Sequence, residues 1–587
     1  MEHLFRLVEL LGALSLTTDL GAGVPFEKGL RTCAVAARLA DVLDLAPADR
    51  RAAYFAALLR SLGCTAHSSV FAEMFDDDVA LQRELKVFDV ADPDMLSAQR
   101  ARFSGWAGTA RAEQLVARFA TEVPAHGVEL AGGSCEVSAA LGTRLGLPDG
   151  AIAALDEVYE RYDGKGFPTG HGGDQLTLAA RVVHVAEQAV VTHYEGGAAA
   201  AAREVARRAG GHLDPDICAA FAEHIEWILG ALDEPDMLAA VLQAEPPPRI
   251  SVRASDVDRL CQAFATFADL KGRYLLGHST HVAELADRAA ELSGYGDEAR
   301  ATVRTSAMLL DLGRAGVSSA VWDRPGPRGP VEWERVRLHS YWTERILSRC
   351  PALARVAPLA AAHHERLDGC GYHRGARGIE LSSGARLLAT ADVFAALAEP
   401  RSHREARTRA DAARELHDEV IAGRLDAEAA GAVVEAAGLR RRRAAWPNDL
   451  TDREVEVLRV LARGLSNREI AETLVLSPRT VQHHLASVYD KINLRTRAGA
   501  GGRVRDRERA RAGRRRYLGN SADAPGGGGR RPWPACHRST NDSTSARSGS
   551  SSCSGRRVVP DAIQRRALLP LGALLGRLRG YELHMAA

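Results

Sequence analysis

Six side chains in the middle of the sequence have types suited to metal chemistry: His278, Asp311, His339, His363, His364 and Asp392. Imidazole and carboxylate donors together suit iron, manganese or zinc rather than a thiolate-held structural ion. Several such donors in one place can hold two ions, activate water and direct it at phosphorus. Two of the six are adjacent, in HHERLDGCGYHRG (363–375). A second stretch, VYERYDGKGFPTG (158–170), keeps the Glu-Arg pair, the Asp-Gly and the glycine–aromatic pair but has lost both histidines.

This echo belongs to a long internal repeat. Arg181 and Arg386 are 205 positions apart, as are Glu160 and Glu365. Upstream, LLRSLG (58–63) matches MLLDLG (308–313) at an offset of 250, so the first copy carries extra residues between these motifs. Downstream, GGHLDPDI (210–217) resembles AGRLDAEA (422–429). Both copies are rich in Ala, Leu, Arg and Glu, with apolar positions recurring at three and four, so two copies of one helical domain are predicted. The positions that must present the six donors therefore lie on separate helices. EPPPRIS (245–251) is a proline-rich connector between the copies, and RRRRAAWPND (440–449) is a second connector.

Residues 451–493 form a separate unit with three helix starts. Thr451-x-x-Glu454 and Ser466-x-x-Glu469 are capping boxes, and Ser477-Pro478 gives a cap followed by proline at the first helical position. Gly464 stops the first helix. In the third helix Val481, Leu485, Val488, Tyr489 and Ile492 share a face that must bury against Leu458, Leu461, Ile470 and Leu474. The opposite face offers Arg479, Thr480, Gln482, His483 and Lys491, donors and acceptors of the kind that read bases and hold phosphates.

Two resemblances follow from these motifs. GHSTHVAELA (277–286), MLLDLGRAGVS (308–318), HSYWTERIL (339–347), HHERLDGCGYH (363–373) and TADVFAAL (390–397) come in the order of the HD-GYP family of HD-superfamily phosphohydrolases. The resemblance covers roughly 253–438, and more weakly 26–240. It implies an iron or manganese centre held by the six residues above and hydrolysis of a phosphodiester, typically cyclic di-GMP, with Asp311 and Arg314 at the chemistry. Leu310 stands where the family has the histidine of its His-Asp pair, Arg314 where it has lysine, and Cys370 and His373 within its Gly-Tyr-Pro signature. In the first copy Arg31 is aligned with the first histidine, Arg60-Ser61 with His-Asp, Ser134 with the third, Val158-Tyr159 with His-His and Glu187 with the last aspartate. No metal is expected there. His281 and His373 fall off the ligand positions and are read as structural. Residues 450–492 resemble the LuxR-type helix-turn-helix domain, in which His484 is structural and a fourth helix supports dimerisation. After LRTRAGA (494–500) the pattern breaks into GGRVRDRERARAGRRRYLG and then Gly, Ser, Arg and Pro tracts, a composition expected to stay disordered. The break is read as a reading-frame shift near residue 500, against an arginine-rich nucleic-acid arm as the alternative.

The expected fold is all-α: a degenerate HD-type domain at 1–244, an HD-GYP-like domain at 253–439, a helix-turn-helix domain at 446–500 and a tail at 501–587. The 76 basic and 75 acidic residues leave a net charge of +1, so the overall balance names no partner. Nine scattered cysteines without a C-x-x-C pair argue against a thiolate metal site and suit a reducing cytoplasm. No apolar run reaches the roughly 20 residues of a membrane span, and the N-terminus lacks the layout of a signal peptide. The expected protein is a cytoplasmic, dimeric regulator that binds double-stranded DNA and senses or hydrolyses cyclic di-GMP or a related nucleotide. The alternative is a metal-dependent cyclic di-GMP phosphodiesterase with DNA binding secondary.

Overall fold

The computed structural model describes residues 4–89, 95–253, 256–440, 448 and 450–492. The proposed break near residue 500, the tail and the fourth helix of the DNA unit lie outside the described residues. The helices that position the site are α1 (Leu7–Gly21), α2 (Lys28–Val42), α3 (Pro47–Leu58), α4 (Thr109–Leu145), α5 (Leu178–Arg208), α6 (Val257–Asp269), α7 (His278–Leu292), α8 (Asp297–Leu309), α9 (Pro330–Arg349), α10 (Ser383–Ala398), α11 (Arg409–Ile421), α12 (Asp452–Leu461), α13 (Asn467–Leu474) and α14 (Pro478–Ile492).

Helix starts recur between the two copies at the offsets of the repeat. α2 and α7 are both 15 residues long and start 250 positions apart. In each copy a buried aspartate on the preceding helix pins that start. Asp19 accepts from Gly29 N at 3.0 Å, and Asp269 accepts from Ser279 N at 3.1 Å. α5 and α10 start 205 positions apart. Both copies contribute to one continuous apolar core, running from Leu7 to Ala437. α1 is buried on nearly every side within it, which is why its sequence is apolar beyond one face.

Strands appear where none was expected. Leu4–Arg6 and Ser251–Arg253 pair antiparallel, with Phe5 opposite Val252. The proline-rich connector leaves extended backbone at 251–253, and the N-terminus satisfies it. Between the copies, Asp78 and Lys271 form a fully buried ion pair, and Asp78 also accepts from Ser318 Oγ at 2.9 Å and Ser319 N at 2.7 Å.

α12–α14 build their own small core from Val457, Leu458, Leu461, Ile470, Val481, Leu485 and Val488. Both predicted capping boxes are present. This unit also rests on the second copy. Arg459 of α12 donates to the carbonyls of Val420 and Ile421 at 3.0 and 3.2 Å, capping the end of α11. The turn after α13 carries a strained position: Val475 has φ 53° and is 82% exposed. A β-branched residue in the left-handed region is destabilising. Val475→Gly should therefore stabilise this unit by about 1 kcal/mol, read as a shift in its denaturant midpoint. Unchanged stability would remove the strain.

Candidate metal centre

Within the second copy the chain brings Asp311, His339, His363 and His364 together, with their donor atoms within 4.8 Å of one another. Gly313 makes this possible. A Cβ there would lie 1.9 Å from the carbonyl oxygen of His339, so α9 can be laid against this turn only because residue 313 has no side chain. Gly63 repeats the device, at 2.0 Å from Ser134 O. Thr343, one turn along α9, clamps the same turn. Its hydroxyl donates to Leu310 O at 2.9 Å and accepts from Gly313 N at 3.0 Å.

The hydrogen bonding of the histidines fits an ion. His339 Nδ1 donates to Val336 O, and His363 Nδ1 donates to Ala360 O at 2.6 Å. Both rings are therefore held in the tautomer that leaves Nε2 unprotonated. Those two Nε2 atoms face each other at 3.1 Å, and each lies 3.4 Å from Asp311 Oδ1. Two lone pairs and a carboxylate at such spacing repel unless a cation lies among them. Burial pushes His339 and His364 below the usual imidazole range, which disfavours a proton as that cation. Neither oxygen of Asp311 accepts a well-aligned hydrogen bond, although Arg314 Nε lies 2.9 Å away. Burial alone would raise Asp311, but the Arg314 guanidinium beside it holds it well below the carboxylate range. Trp322 and Tyr372 wall the cluster. Trp322 stands edge-on to His339 at 5.8 Å and carries the Arg314 guanidinium at 5.1 Å, and Tyr372 lies 4.2 Å from the His364 ring.

The remaining two expected ligands sit to one side. His278 Nε2 lies 3.2 Å from Asp392 Oδ1 and 3.8 Å from Asp311 Oδ2. Its Nδ1 faces Glu399 at 2.8 Å, and Glu399 also meets His281 Nδ1 at 2.8 Å and Arg401 at 3.0 Å. Burial would lower His278, but Glu399 and Asp392 bring it up to about 9. Glu399 and Trp322 were not legible in the sequence. Glu399 follows the end of α10, where no periodicity marks it. Leu310 is fully buried in the apolar core and offers no donor. His373 faces Glu344 at 3.6 Å, away from the cluster.

The loop residues common to both copies prove to shape the backbone. Glu365 accepts from Arg374 N and Ala376 N, as Glu160 accepts from Thr169 N. Asp368 accepts from Cys370 N as Asp163 does from Lys165 N. Gly369 and Gly164 have φ of 77° and 74°.

In the first copy the site is filled by side-chain cations. Lys28, not Arg31, stands at the start of α2 where His278 starts α7, because the 250 offset runs through both helix starts. Lys28 pairs with Glu187 in a fully buried contact. Arg60 and Lys86 reach the other oxygen of Glu187 at 3.3 and 3.7 Å. Burial alone would raise Glu187, but Arg60, Lys28 and Lys86 together hold it well below the usual range. Burial, helped by Arg60, brings Lys86 down to about 7.

On α14, Val481, Leu485, Val488 and Ile492 are buried, whereas Arg479, Gln482 and His483 are exposed. Thr480 is half-buried and tied to Ser477 at 2.7 Å. Lys491, also expected on the reading face, bonds Glu454 through its Nζ at 2.8 Å, the same carboxylate that closes the first capping box.

Residues 262–429 match the family described as HD domain, and residues 448–501 match Bacterial regulatory proteins, luxR family. The chain carries an HD domain followed by a luxR-family domain. It is 28% identical over 449 residues to the 3'3'-cGAMP-specific phosphodiesterase 3 of Vibrio cholerae, covering 75% of this chain and 96% of that protein. It is 33% identical over 150 residues to the cyclic di-GMP phosphodiesterase of Thermotoga maritima, covering 25% of this chain and 40% of that one. The crystal structure of a cyclic GMP-AMP specific phosphodiesterase of V. cholerae shares the fold, with a TM-score of 0.52 and 23% identity, over 74% of this chain and 99% of that one. A 60-residue segment is 48% identical to a Mycobacterium bovis protein named as an HTH-type transcriptional regulator, covering 10% of this chain and 7% of that protein. Among the described residues no helix is long and apolar enough to cross a membrane.

Proposed function

We propose that the chain is a cytoplasmic DNA-binding regulator whose HD domain holds a divalent iron or manganese ion and senses or hydrolyses a cyclic dinucleotide. The facing Nε2 atoms of His339 and His363 beside Asp311 carry the metal reading. An ion there supplies Lewis-acid chemistry toward a phosphoryl oxygen and toward water. Arg314, held on the Trp322 face beside Asp311, supports a phosphate-binding role through its guanidinium. The V. cholerae relative that spans most of this chain favours a cyclic GMP-AMP ligand alongside the cyclic di-GMP expected from the motifs.

The coupling between ligand and DNA is supported by the seating of α12 on α11. A cleft of about 450 Å³ opens beside it. Asp368 and Arg377, from the loop that follows His363 and His364, line one side; Arg453 and Glu456 of α12 line the other. A ligand that reorders that loop therefore acts directly on the DNA unit.

Incubating the manganese-loaded chain with each cyclic dinucleotide and following linear product separates enzyme from sensor. Product favours the phosphodiesterase reading. Tight binding without product favours a sensor, and neither would overturn the proposal. On the DNA side, Arg479→Ala with Gln482→Ala should weaken duplex binding about tenfold or more, and loss of the arginine should flatten its salt dependence. Lys491→Ala should act through the fold of the unit, lowering its stability rather than its salt slope. Unchanged affinity in the double variant would remove α14 from the interface.

A further inference from the structure

The second copy retains donors for an ion, yet its six expected ligands do not form one set. We infer that it holds a single metal ion, bound by Asp311, His339, His363 and His364, while His278 and Asp392 are partnered with each other and closed off by Glu399 and Arg401. This rests on the metal reading above and deepens it.

Three observations carry the inference. The converging donors are Asp311, His339, His363 and His364, and His278 and Asp392 are outside that group. A second ion beside Asp311 would have to draw on His278 and Asp392, which are partnered with each other, because Leu310, the residue next to Asp311, contributes a buried hydrocarbon side chain. His278 has a carboxylate facing each ring nitrogen, Asp392 at 3.2 Å and Glu399 at 2.8 Å, so both nitrogens already have partners outside the cluster. Asp392 is likewise engaged on both oxygens, by His278 Nε2 and by His364 Nδ1 at 3.3 Å. It therefore braces a ligand from outside, the usual work of a carboxylate behind a metal-bound imidazole.

The first copy supplies an independent parallel. Its Lys28 and Glu187 occupy the helix positions of His278 and Asp392, and they form a buried ion pair. The same two positions thus face each other in both copies. In the first copy Arg60 and Ser61 stand at the positions of Leu310 and Asp311, and the cations complete the replacement of the metals. In the second, Asp311 and three histidines remain and one ion position survives.

The test uses the full chain, equilibrated with Mn²⁺ under anaerobic conditions, freed of excess metal and counted by mass spectrometry of the metal. One Mn²⁺ per chain with an uncoupled EPR signal is expected. His278→Gln and Glu399→Gln should keep that ion with affinity changed by no more than the roughly tenfold that outer-partner losses begin to cost. Leu310→His, which restores a donor beside Asp311, should raise the count to two. Two exchange-coupled ions in the parent chain, or loss of the ion in the folded His278→Gln protein, would overturn the inference and leave the metal reading intact. A folded Leu310→His protein that still holds one ion would overturn the part assigned to Leu310. A parent chain that binds neither Mn²⁺ nor Fe²⁺ would overturn the metal reading itself.

Discussion

Asp311→Asn should lower the affinity of the chain for Mn²⁺ by more than about 100-fold, beyond the roughly 10–100-fold that loss of an outer partner costs. Asp311 is the one carboxylate among the converging donors, and it faces both His339 and His363 at 3.4 Å. The amide is close in size and offers one neutral acceptor oxygen, so packing survives while the charge is lost. It also leaves Arg314 without its buried anionic partner. The folded fraction, checked by circular dichroism, should be measurable by metal titration, with any cyclic dinucleotide turnover lost in parallel. His364→Gln should cost less, because that side chain lies at the partly exposed rim of the cluster. Retention of metal by Asp311→Asn at parent affinity would place the ion elsewhere.

Glu187→Gln should destabilise the first copy by about 3–5 kcal/mol, the range for breaking a buried ion pair by removing one partner. Lys28, Arg60 and Lys86 all approach this carboxylate, and Glu187 is fully buried. The amide leaves cations crowded in a dry site with no anion among them. Because both copies share one core, the loss should lower the unfolding midpoint of the second copy too. Thermal and urea unfolding of the full chain check this, with metal content as a control that should scale with the folded fraction. Adding Lys28→Met to Glu187→Gln removes one of the stranded cations and should recover part of the loss. A Glu187→Gln protein as stable as the parent would show that the cluster contributes only local order.

Which features of the sequence proved legible follows from what each residue does. The residues common to 158–170 and 363–375 fold a loop: Glu160 and Glu365 receive backbone amides, and Gly164 and Gly369 take positive φ. Such demands depend on local backbone geometry, so they leave a pattern visible by comparing the copies. The histidines make no such demand on the loop backbone, so they are present in one copy and absent from the other. The all-α architecture, the capping boxes at Thr451 and Ser466 and the buried face of α14 were readable because each is written in spacing along one element. What spacing does not encode is the partner across space. Nothing near Glu399 announces that it closes on His278 and His281, and nothing near Lys491 announces Glu454, 37 positions away. The misplacement of Arg31 has the same origin. Arginine looks like a replacement for histidine along the sequence, but the helix start, pinned by Asp19, puts Lys28 there. The short strand pair was missed because it joins residues separated by the whole first copy.

The central claim is that one copy of a duplicated helical domain holds metal while the other has replaced it with side-chain charge. Anomalous diffraction from crystals grown with Mn²⁺ tests it most directly. The account predicts an anomalous peak among Asp311, His339, His363 and His364, with none beside Glu187 between Lys28 and Arg60. A peak beside Glu187, or no peak among the three histidines and Asp311, would contradict it.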